Sequence, residues 1–298
     1  MIKNFEYFFD IVRAYKVKRK LVLAAAEDEN ALKSVKVAYE EGIIDPILVG
    51  NKQKIREIAD EIQFDLDNFD IISQNDPIKS AQEAVKIVKE GKADILMKGF
   101  IQTADYLRVI LNKEDGIREA DVLSHISFFE IPAYHKVLAL SDVALIIAPT
   151  LDEKIVMIKN GVNLFHRLNI PNPKVSVLAS IETVNPKMPA CVDAAILTMM
   201  NKRNQITGCI VDGPLAFDNT ISKESAEHKK IVSEVAGDAD LIIVPNIEVG
   251  NALYKSFTYF GGGTVAAVVL GAKVPAILTS RSDSDKSKLA SIVLAACY

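Results

Sequence analysis

Strand-like apolar runs alternate with amphipathic segments of helical period along almost the whole chain, and this alternation limits the possible folds most strongly. In the first half, short apolar runs stand at 21–26, 46–49, 69–72 and 94–97, with helical segments between them. Strands connected through helices pair in parallel, because a parallel crossover needs about the length of a helix. The sequence therefore predicts an α/β protein with mainly parallel sheets.

The alternation breaks once, between Val122 and Ala148. Two extended stretches follow each other there, with only residues 132–135 between them. A short connection of this kind is typical of an antiparallel strand pair. We expect the polypeptide to pass from one domain to another at this point.

Alternation resumes after this break and continues to the C-terminus. A chain of 298 residues exceeds the usual size of a single core, so two domains are expected. The predicted domains cover 1–128 with 270–298, and 129–269, with a cleft between them. The later predicted elements are strands at 174–179, 206–211, 241–244 and 275–279 and helices at 152–168, 189–201, 223–236 and 284–296.

Charge and composition narrow the possible partners. The 35 basic and 39 acidic residues are scattered and give a net charge of -4, without the basic block that binds nucleic acid. We find no secretory signal and no apolar run long enough to cross a bilayer, so we expect a cytoplasmic protein that makes no membrane contact. Three cysteines without a C-x-x-C motif and four dispersed histidines give no support for a metal site.

Two predicted strand exits carry an arginine, and such exits are where ligands bind in parallel sheets. At the first, Lys98 and Gly99 end a strand, Thr103 is suited to cap the next helix, and Arg108 follows within it. A helix N-terminus and a guanidinium would both attract an anion. A capped surface helix with a solvated arginine is the alternative.

The second arginine-bearing exit follows the strand predicted at 275–279. Ser280 and Arg281 stand directly after it, and Asp283 and Asp285 belong to a serine and aspartate run. We expect Arg281 to bind an anion. Helix capping is the alternative for residues 282–285.

Three further exits are polar and carry no arginine. One is a proline-flanked loop and one a Gly-Pro turn between aspartates, and these two could be an ordinary loop and turn. The third is the mouth of a helix. A negatively charged small molecule bound between the domains is the simplest interpretation. The residues concerned are Asn185, Lys187, Asp212, Gly213, Pro214, Phe217, Asp218, Asn246, Gly250 and Asn251.

Five stretches resemble the phosphate acetyl/butyryltransferase family, the butyryl branch more than the acetyl branch. They are VLSHISFFEIP, which contains Ser124, then SIETVNPKMP, QITGCIVDGPLAFDNTIS, VAGDADLIIVPNIEVGN and AILTSRSDS. The resemblance implies an isocitrate/isopropylmalate dehydrogenase-like fold and a homo-oligomer. It also implies reversible conversion of a short-chain acyl-CoA and phosphate to acyl phosphate and CoA in a ternary complex. Coenzyme A is then a substrate, and no metal or redox cofactor is required.

The resemblance also suggests roles for individual residues. Ser280 and Arg281 match a serine-arginine pair at the acyl phosphate, and Arg108 matches another phosphate-facing arginine. Acetyl-type members place a presumed aspartate base where this chain has Ser287, so Asp283 or Asp285 becomes the candidate base for the thiol. They also tend to carry an arginine where this chain has Tyr259. Lys98, Gly99, Thr103, Ser124 and the residues of the three exits without arginine are the predicted substrate contacts.

Three alternatives remain open at this point. The enzyme could be specific for acetyl groups, or the chain could bind CoA or acyl phosphate without turnover. The fold alone would also permit a metal- and nicotinamide-dependent β-decarboxylating dehydrogenase. Acyl-chain preference depends on which apolar residues face the substrate, for which Phe128, Phe129 and Leu215 are first candidates.

Overall fold

The chain divides into two compact units. The first comprises Glu6–Leu123 and Ala266–Tyr298, and the second comprises Met1–Phe5 and Ser124–Val265. The computed structural model describes residues 1–15, 17–67, 69–278 and 283–298.

The N-terminal five residues belong to the second unit, whereas the division drawn from the sequence gives them to the first domain. Ile2 accepts a hydrogen bond on its carbonyl from the amide of Val137 at 2.8 Å. Phe5 donates its own amide to the Glu130 carboxylate at 2.6 Å. These bonds attach the N-terminus to the strand pair of the second unit.

The strands are numbered along the chain. They are β1 (Arg19–Ala24), β2 (Ile44–Gly50), β3 (Ile71–Ser73), β4 (Ile95–Lys98), β5 (Ser124–Glu130), β6 (Leu138–Ser141), β7 (Lys174–Leu178), β8 (Ile210–Leu215), β9 (Leu241–Ile243), β10 (Thr264–Leu270) and β11 (Ala276–Ile277).

The helices are numbered in the same way. Among the described residues, every helix is too short or too polar to span a bilayer. They are α1 (Glu6–Arg13), α2 (Glu29–Glu40), α3 (Lys52–Glu61), α4 (Pro77–Lys89), α5 (Thr103–Ile110), α6 (Leu151–Arg167), α7 (Pro189–Lys202), α8 (Phe217–Ile221), α9 (Lys223–His228), α10 (Ile247–Lys255), the π-helical turn Ser256–Phe260 and α11 (Asp285–Ala296).

The sheet of the first unit has the strand order β3-β2-β1-β4-β11-β10. Its neighbours pair in parallel from β3 to β11, and β10 pairs antiparallel with β11 through Val269 and Ala276. Residues 21–24 of β1 are fully buried, as expected for a strand covered on both faces. Helix α4 packs against β1, and α11 packs against α2.

The sheet of the second unit has the strand order β5-β6-β9-β7-β8. Strands β5 and β6 form the antiparallel pair that the sequence predicts, and the other neighbours are parallel. Helix α6 packs against β5 and β9, and α7 packs against β7 and β8. The predicted α/β class with mainly parallel sheets is confirmed in both units.

Polar residues in the sequence determine where several helices begin. Thr150 and Glu153 form a reciprocal capping box at the start of α6. Asp76 caps α4 and is followed by Pro77 at the first helical position, where its missing N–H is not needed. Ser284 caps α11 by accepting from the amide of Ser287, so the predicted capping role of the serine and aspartate run is confirmed for Ser284.

Three expectations about the elements are wrong. Asp212, Gly213 and Pro214 lie inside β8, whereas the sequence places them in a turn after a strand. The helix predicted at 223–236 ends at His228. It stops because Lys230 adopts a left-handed conformation with φ 55°, and Ile231 donates back to the carbonyl of Ala226.

The third difference is at α5, where Gln102 and not Thr103 is the N-cap. Thr103 is the first helical residue. Its hydroxyl therefore does not cap the helix. The Thr103 side chain is exposed at the start of α5.

Candidate functional site

The carboxyl ends of β1, β2, β3, β4 and β11 lie at one edge of the first unit's sheet, since these strands are parallel. At this edge Ala25 follows β1 with a positive φ of 51°. Gly99 follows β4 so closely beside it that an added Cβ would lie 2.2 Å from the Ala25 carbonyl oxygen. Only glycine permits this backbone approach.

Lys98 shapes the turn that connects β4 to α5. Lys98 is 8% exposed. The ammonium donates to the carbonyls of Gly99 at 3.2 Å and Ile101 at 2.9 Å. These bonds stabilise the turn. Lys98, a predicted substrate contact, therefore has a structural role at the carboxyl edge.

The first turn of α5 lies at this edge, close after β4. Its N-cap, Gln102, makes no hydrogen bond with its side chain to the first turn. Helices α2, α3, α4 and α11 of the same unit are capped by Asp28, Asn51, Asp76 and Ser284. Uncapped amides at a helix start suit an anion, which is the chemistry predicted for Thr103 and its surroundings.

Arg108 lies on the exposed side of α5. Its side chain is 74% exposed and forms an ion pair with Asp105, one turn earlier. It lines a surface groove of about 550 Å³, together with Lys79 and Lys86 of α4. The guanidinium is accessible to an anion, and its partner in the structure is a carboxylate of its own helix.

The other residues predicted at this edge follow β11. Ser280 and Arg281 lie outside the described residues. Asp285 is exposed at the start of α11, and Asp283 accepts on its carbonyl a hydrogen bond from Lys288 at 2.7 Å. Ser287, at the position where acetyl-type members have an aspartate, is buried and its hydroxyl lies 3.1 Å from that of Ser284.

The carboxyl ends of β6, β7, β8 and β9 form the corresponding edge of the second unit. The backbone of β8 is tightly packed at Gly213. An added Cβ on Gly213 would lie 2.7 Å from the carbonyl of Val177, and the Gly213 carbonyl accepts from Thr198 at 3.0 Å. Asp212 accepts from the amide of Gly213 at 2.9 Å, and Pro214 is buried.

Phe217 and Asp218 begin α8, directly after β8. The ring of Phe217 stacks on Phe257, with the centroids 5.8 Å apart. Asp218 accepts from the Ser225 hydroxyl at 2.7 Å and pairs with Lys229 at 3.2 Å. The hydrogen bond from Ser225, aided by Lys229, lowers the pKa of Asp218 against the effect of burial, so this carboxyl is ionised at neutral pH.

The loop after β7 contains Asn185 and Lys187. The Asn185 side chain accepts from the amide of Lys187 at 3.0 Å, which folds the backbone into a local turn. The Lys187 residue is exposed. This loop therefore presents a cation at the carboxyl edge of the second unit.

The start of α10 carries the remaining predicted contacts of this edge. Asn246 caps the helix by accepting from the amide of Val249 at 3.0 Å. Asn251 is exposed. Gly250 lies against the segment that follows β6, where an added Cβ would be 2.3 Å from the carbonyl of Asp142.

Ser124, at the start of β5, is buried. Its hydroxyl accepts a hydrogen bond from the Asn160 amide of α6 at 2.9 Å.

The first candidates for an acyl-chain pocket are core residues. Phe128 is fully buried against Phe165, with ring centroids 5.1 Å apart. Phe129 is equally buried, between Tyr254 and Phe257. Leu215 is 2% exposed. These side chains have no open surface to offer a substrate, so that expectation is wrong.

The sequence interpretation missed Asp142. It treats residues 136–148 as one extended stretch, whereas β6 ends at Ser141 and Asp142 opens a loop. The Asp142 carboxylate is buried and accepts backbone amides on both oxygens. The only local signal is a Ser-Asp pair at the end of an apolar run, which is also typical of ordinary turns.

Comparison with known proteins supplies the family. The family model described as phosphate acetyl/butaryl transferase matches residues 6–83 and 76–296. A phosphate butyryltransferase of Clostridium acetobutylicum is 44% identical over 296 residues, which cover 99% of this chain and 98% of that protein. A phosphate acetyltransferase of Thermotoga maritima is 41% identical over 280 residues, covering 94% and 95%.

A solved structure agrees with these relatives. The crystal structure of a branched-chain phosphotransacylase from Enterococcus faecalis V583 superposes with a TM-score of 0.80 at 33% identity, covering 94% of this chain and 99% of that chain. The match in sequence and in fold extends over nearly the full length of both proteins. The chain therefore belongs to the phosphate acetyl/butaryl transferase family.

Proposed function

We propose that this chain transfers a short acyl group, butyryl above all, reversibly between coenzyme A and inorganic phosphate. The observation that carries the proposal is the 44% identity with the phosphate butyryltransferase of Clostridium acetobutylicum over 296 residues. The family assignment favours acyl transfer over the dehydrogenase alternative. An acetyl-specific enzyme stays the second candidate, because the acetyltransferase of Thermotoga maritima is nearly as similar at 41%.

The reaction needs positioning and electrostatic stabilisation. A phosphate oxygen attacks the thioester carbonyl, the C–O bond forms, the C–S bond breaks, and CoA leaves as a thiolate that takes up a proton. In the reverse direction the thiolate attacks the acyl phosphate. Negative charge grows on the carbonyl oxygen in both directions, so fixed donors around that oxygen lower the barrier.

The first unit supplies the groups proposed for the phosphoryl end. The first-turn amides of α5 and the Thr103 hydroxyl are proposed to donate to anionic oxygens, and Arg108 and Arg281 are proposed to bind the phosphoryl group. Ser280 is proposed to donate to a phosphate oxygen or to the carbonyl oxygen. Asp283 or Asp285 is the proposed base for the thiol, which needs little help because a free thiol has a pKa of about 8.5.

The second unit supplies residues proposed to contact the acyl-CoA. They lie at the carboxyl edge of its sheet, where parallel strands present loops and helix N-termini. A homo-oligomer is part of the same proposal. The proposed contacts are Ser124, Asn185, Lys187, Asp212, Gly213, Pro214, Phe217, Asp218, Asn246, Gly250 and Asn251.

Thiol release with phosphate and a series of acyl-CoA substrates tests the proposed reaction. The series runs from acetyl- through propionyl- and butyryl- to valeryl-CoA, with isobutyryl-CoA added because the Enterococcus relative is named for branched chains. We expect the highest kcat/KM with butyryl-CoA. A maximum at acetyl-CoA supports the acetyl-specific candidate, and CoA binding without thiol release contradicts an enzyme.

Removal of either proposed phosphate-binding arginine tests the site. We expect Arg281→Ala and Arg108→Ala each to reduce kcat/KM about 100-fold, because a charge-assisted contact to the reacting anion is lost. Arg203→Ala is the matched control, since Arg203 is exposed at the C-terminal end of α7. Rates close to wild type in both test variants refute the assignment.

A further inference from the structure

Asp142 is a buried acid that the proposed reaction does not yet use. The residue is 1% exposed and directly follows β6. Its carboxylate accepts three backbone amides, from His125 at 2.6 Å, Ala144 at 2.7 Å and Leu145 at 2.8 Å. Burial of a carboxylate is costly unless such donors replace water, so these bonds stabilise one backbone arrangement.

The three amides belong to two different segments. His125 is the second residue of β5, and Ala144 and Leu145 lie in the loop from Asp142 to Thr150, here named the 142–150 loop. One carboxylate oxygen binds β5 and the other binds the loop. Asp142 therefore fixes the start of β5 relative to the 142–150 loop.

Helix α10 holds the same loop from its other side. The amide of Ile247, the first residue of α10, donates to the carbonyl of Ile147 at 2.9 Å. Gly250 contacts the backbone of Asp142, leaving no room for a Cβ. The 142–150 loop is thus fixed between β5 and the first turn of α10.

Both neighbours of the loop carry residues proposed to contact the acyl-CoA. Ser124 precedes His125 in β5, and Asn246 and Gly250 belong to the start of α10. A shift of the loop would move these two groups relative to each other. Displacements of about 1 Å at such positions can reduce a rate about 100-fold.

We propose that Asp142 is a positioning residue for the acyl transfer, which it supports by fixing β5, the 142–150 loop and the start of α10 in one arrangement. This inference rests on the proposed function, because the residues positioned are those proposed to bind the acyl-CoA. Asp142 acts through the backbone amides it binds.

Asp142→Asn tests the inference with almost no change of shape. An asparagine side chain offers one oxygen acceptor and one NH₂ donor. Wherever the NH₂ group lies, it faces at least one backbone N–H that has lost its acceptor. The β5 contact or the loop contact must therefore break.

Asp240→Asn is the matched control. Asp240 is also a buried acid of the second unit, 8% exposed, and precedes β9 at the opposite edge of the sheet. Its carboxylate accepts from the amide of Lys174 at 2.8 Å and from the ammonium of Lys136 at 2.6 Å. The control therefore damages a comparable buried network away from the carboxyl edge.

Amide hydrogen exchange and thiol release are measured on both variants at a temperature where both are folded. We expect Asp142→Asn to lose protection at His125, Ala144 or Leu145 and to lose about 100-fold in kcat/KM. Asp240→Asn should keep a kcat/KM close to wild type. Near-normal turnover in Asp142→Asn, or an equal loss in both variants, overturns the inference.

A second variant covers the case in which Asp142→Asn does not fold. Gly250→Ala displaces the loop from the α10 side, and we expect the same local loss of protection; this exchange pattern is the deciding readout, because Gly250 is itself a proposed acyl-CoA contact and a lower kcat/KM is expected on that ground too. Unchanged protection in Gly250→Ala contradicts the inference. If the wild-type protein transfers no acyl group, the proposed function fails, and the exchange pattern alone shows whether Asp142 holds the loop.

Discussion

Charged and polar side chains have different partners at the two edges of the second unit's sheet. At the amino edge, Lys136 pairs with Asp240 at 2.6 Å, and Asp238 pairs with Lys174 at 2.6 Å and with His135 at 2.8 Å. The ammonium groups of the two lysines and the two carboxylates neutralise one another. At the carboxyl edge, Asp218 also pairs with Lys229 at 3.2 Å, but Asp142 and Asn246 have no charged partner among the described residues and accept from backbone amides.

The difference separates residues that stabilise the unit from residues that can meet a ligand. A closed cluster of opposite charges leaves few groups for a substrate, and removing one member leaves a buried charge without its partner. Side chains that order loops and helix starts shape the surface where parallel sheets bind ligands. We therefore expect mutations at the amino edge to change stability and mutations at the carboxyl edge to change activity.

The largest expected loss of stability follows from mutation of Lys136. Its side chain is 3% exposed, and Lys136→Ala leaves the carboxylate of Asp240 buried without its ammonium partner. We expect the free energy of unfolding, measured by urea denaturation, to fall by about 3–5 kcal/mol. The kcat/KM of the folded variant should stay at the wild-type value.

Lys92→Ala is the control for Lys136→Ala. Lys92 pairs with Glu90 on the surface at 2.7 Å, and its side chain is 67% exposed. No measurable change in stability is expected, because solvent screens such pairs. Loss of turnover in folded Lys136→Ala would break the distinction between the two edges.

The next largest effect expected is on the stability of the protein in acid, and it depends on Asp238. Burial alone would raise the pKa of this carboxyl, but hydrogen bonds from Lys174, His135 and Lys136 outweigh burial and hold the pKa well below its ordinary value. A lowered folded-state pKa stabilises the protein above the unfolded value, and this stabilisation is lost as the pH falls.

We therefore expect the free energy of unfolding to decrease as the pH is lowered below about 4, the ordinary aspartate pKa. Asp238→Asn should be less stable at neutral pH and should show a smaller decrease in acid. Urea denaturation between neutral and acidic pH measures both. An equal slope in the two proteins would show that Asp238 does not carry the acid sensitivity.

The smallest effect is expected at Ser141, next to Asp142. Its hydroxyl is buried and, within the described residues, has no hydrogen-bond partner. Ser141→Ala removes an unsatisfied polar group, so we expect stability to be unchanged or raised by up to about 1 kcal/mol. Thermal unfolding measures this change. A clear loss of stability would reveal a hydrogen bond through bound water.

The sequence predicts the fold well where the signal is local. The alternation of apolar runs and the short connection at 132–135 give the α/β class and the antiparallel pair of β5 and β6. Strand β10 is harder to recognise, because its residues 265–270 form a continuous apolar run without a period of two. The sequence pattern misplaces β8, because Gly213 and Pro214 are typical turn residues.

The candidate site is less predictable because its contacts are non-local. Asp142 accepts an amide from His125, 17 residues earlier in the chain. The Lys98 ammonium donates to the carbonyls of Gly99 and Ile101. This geometry depends on the burial of the Lys98 side chain, which no local sequence pattern shows. The sequence can therefore indicate the strand exits but cannot assign the partner of each side chain.

The most direct test of the central claim is the product balance of wild-type protein with butyryl-CoA and phosphate. Phosphorus NMR reports acyl phosphate, and a thiol reagent reports free CoA. We expect the two products to form in equal amounts. Thiol release without acyl phosphate, or CoA binding without either product, would contradict acyl transfer to phosphate.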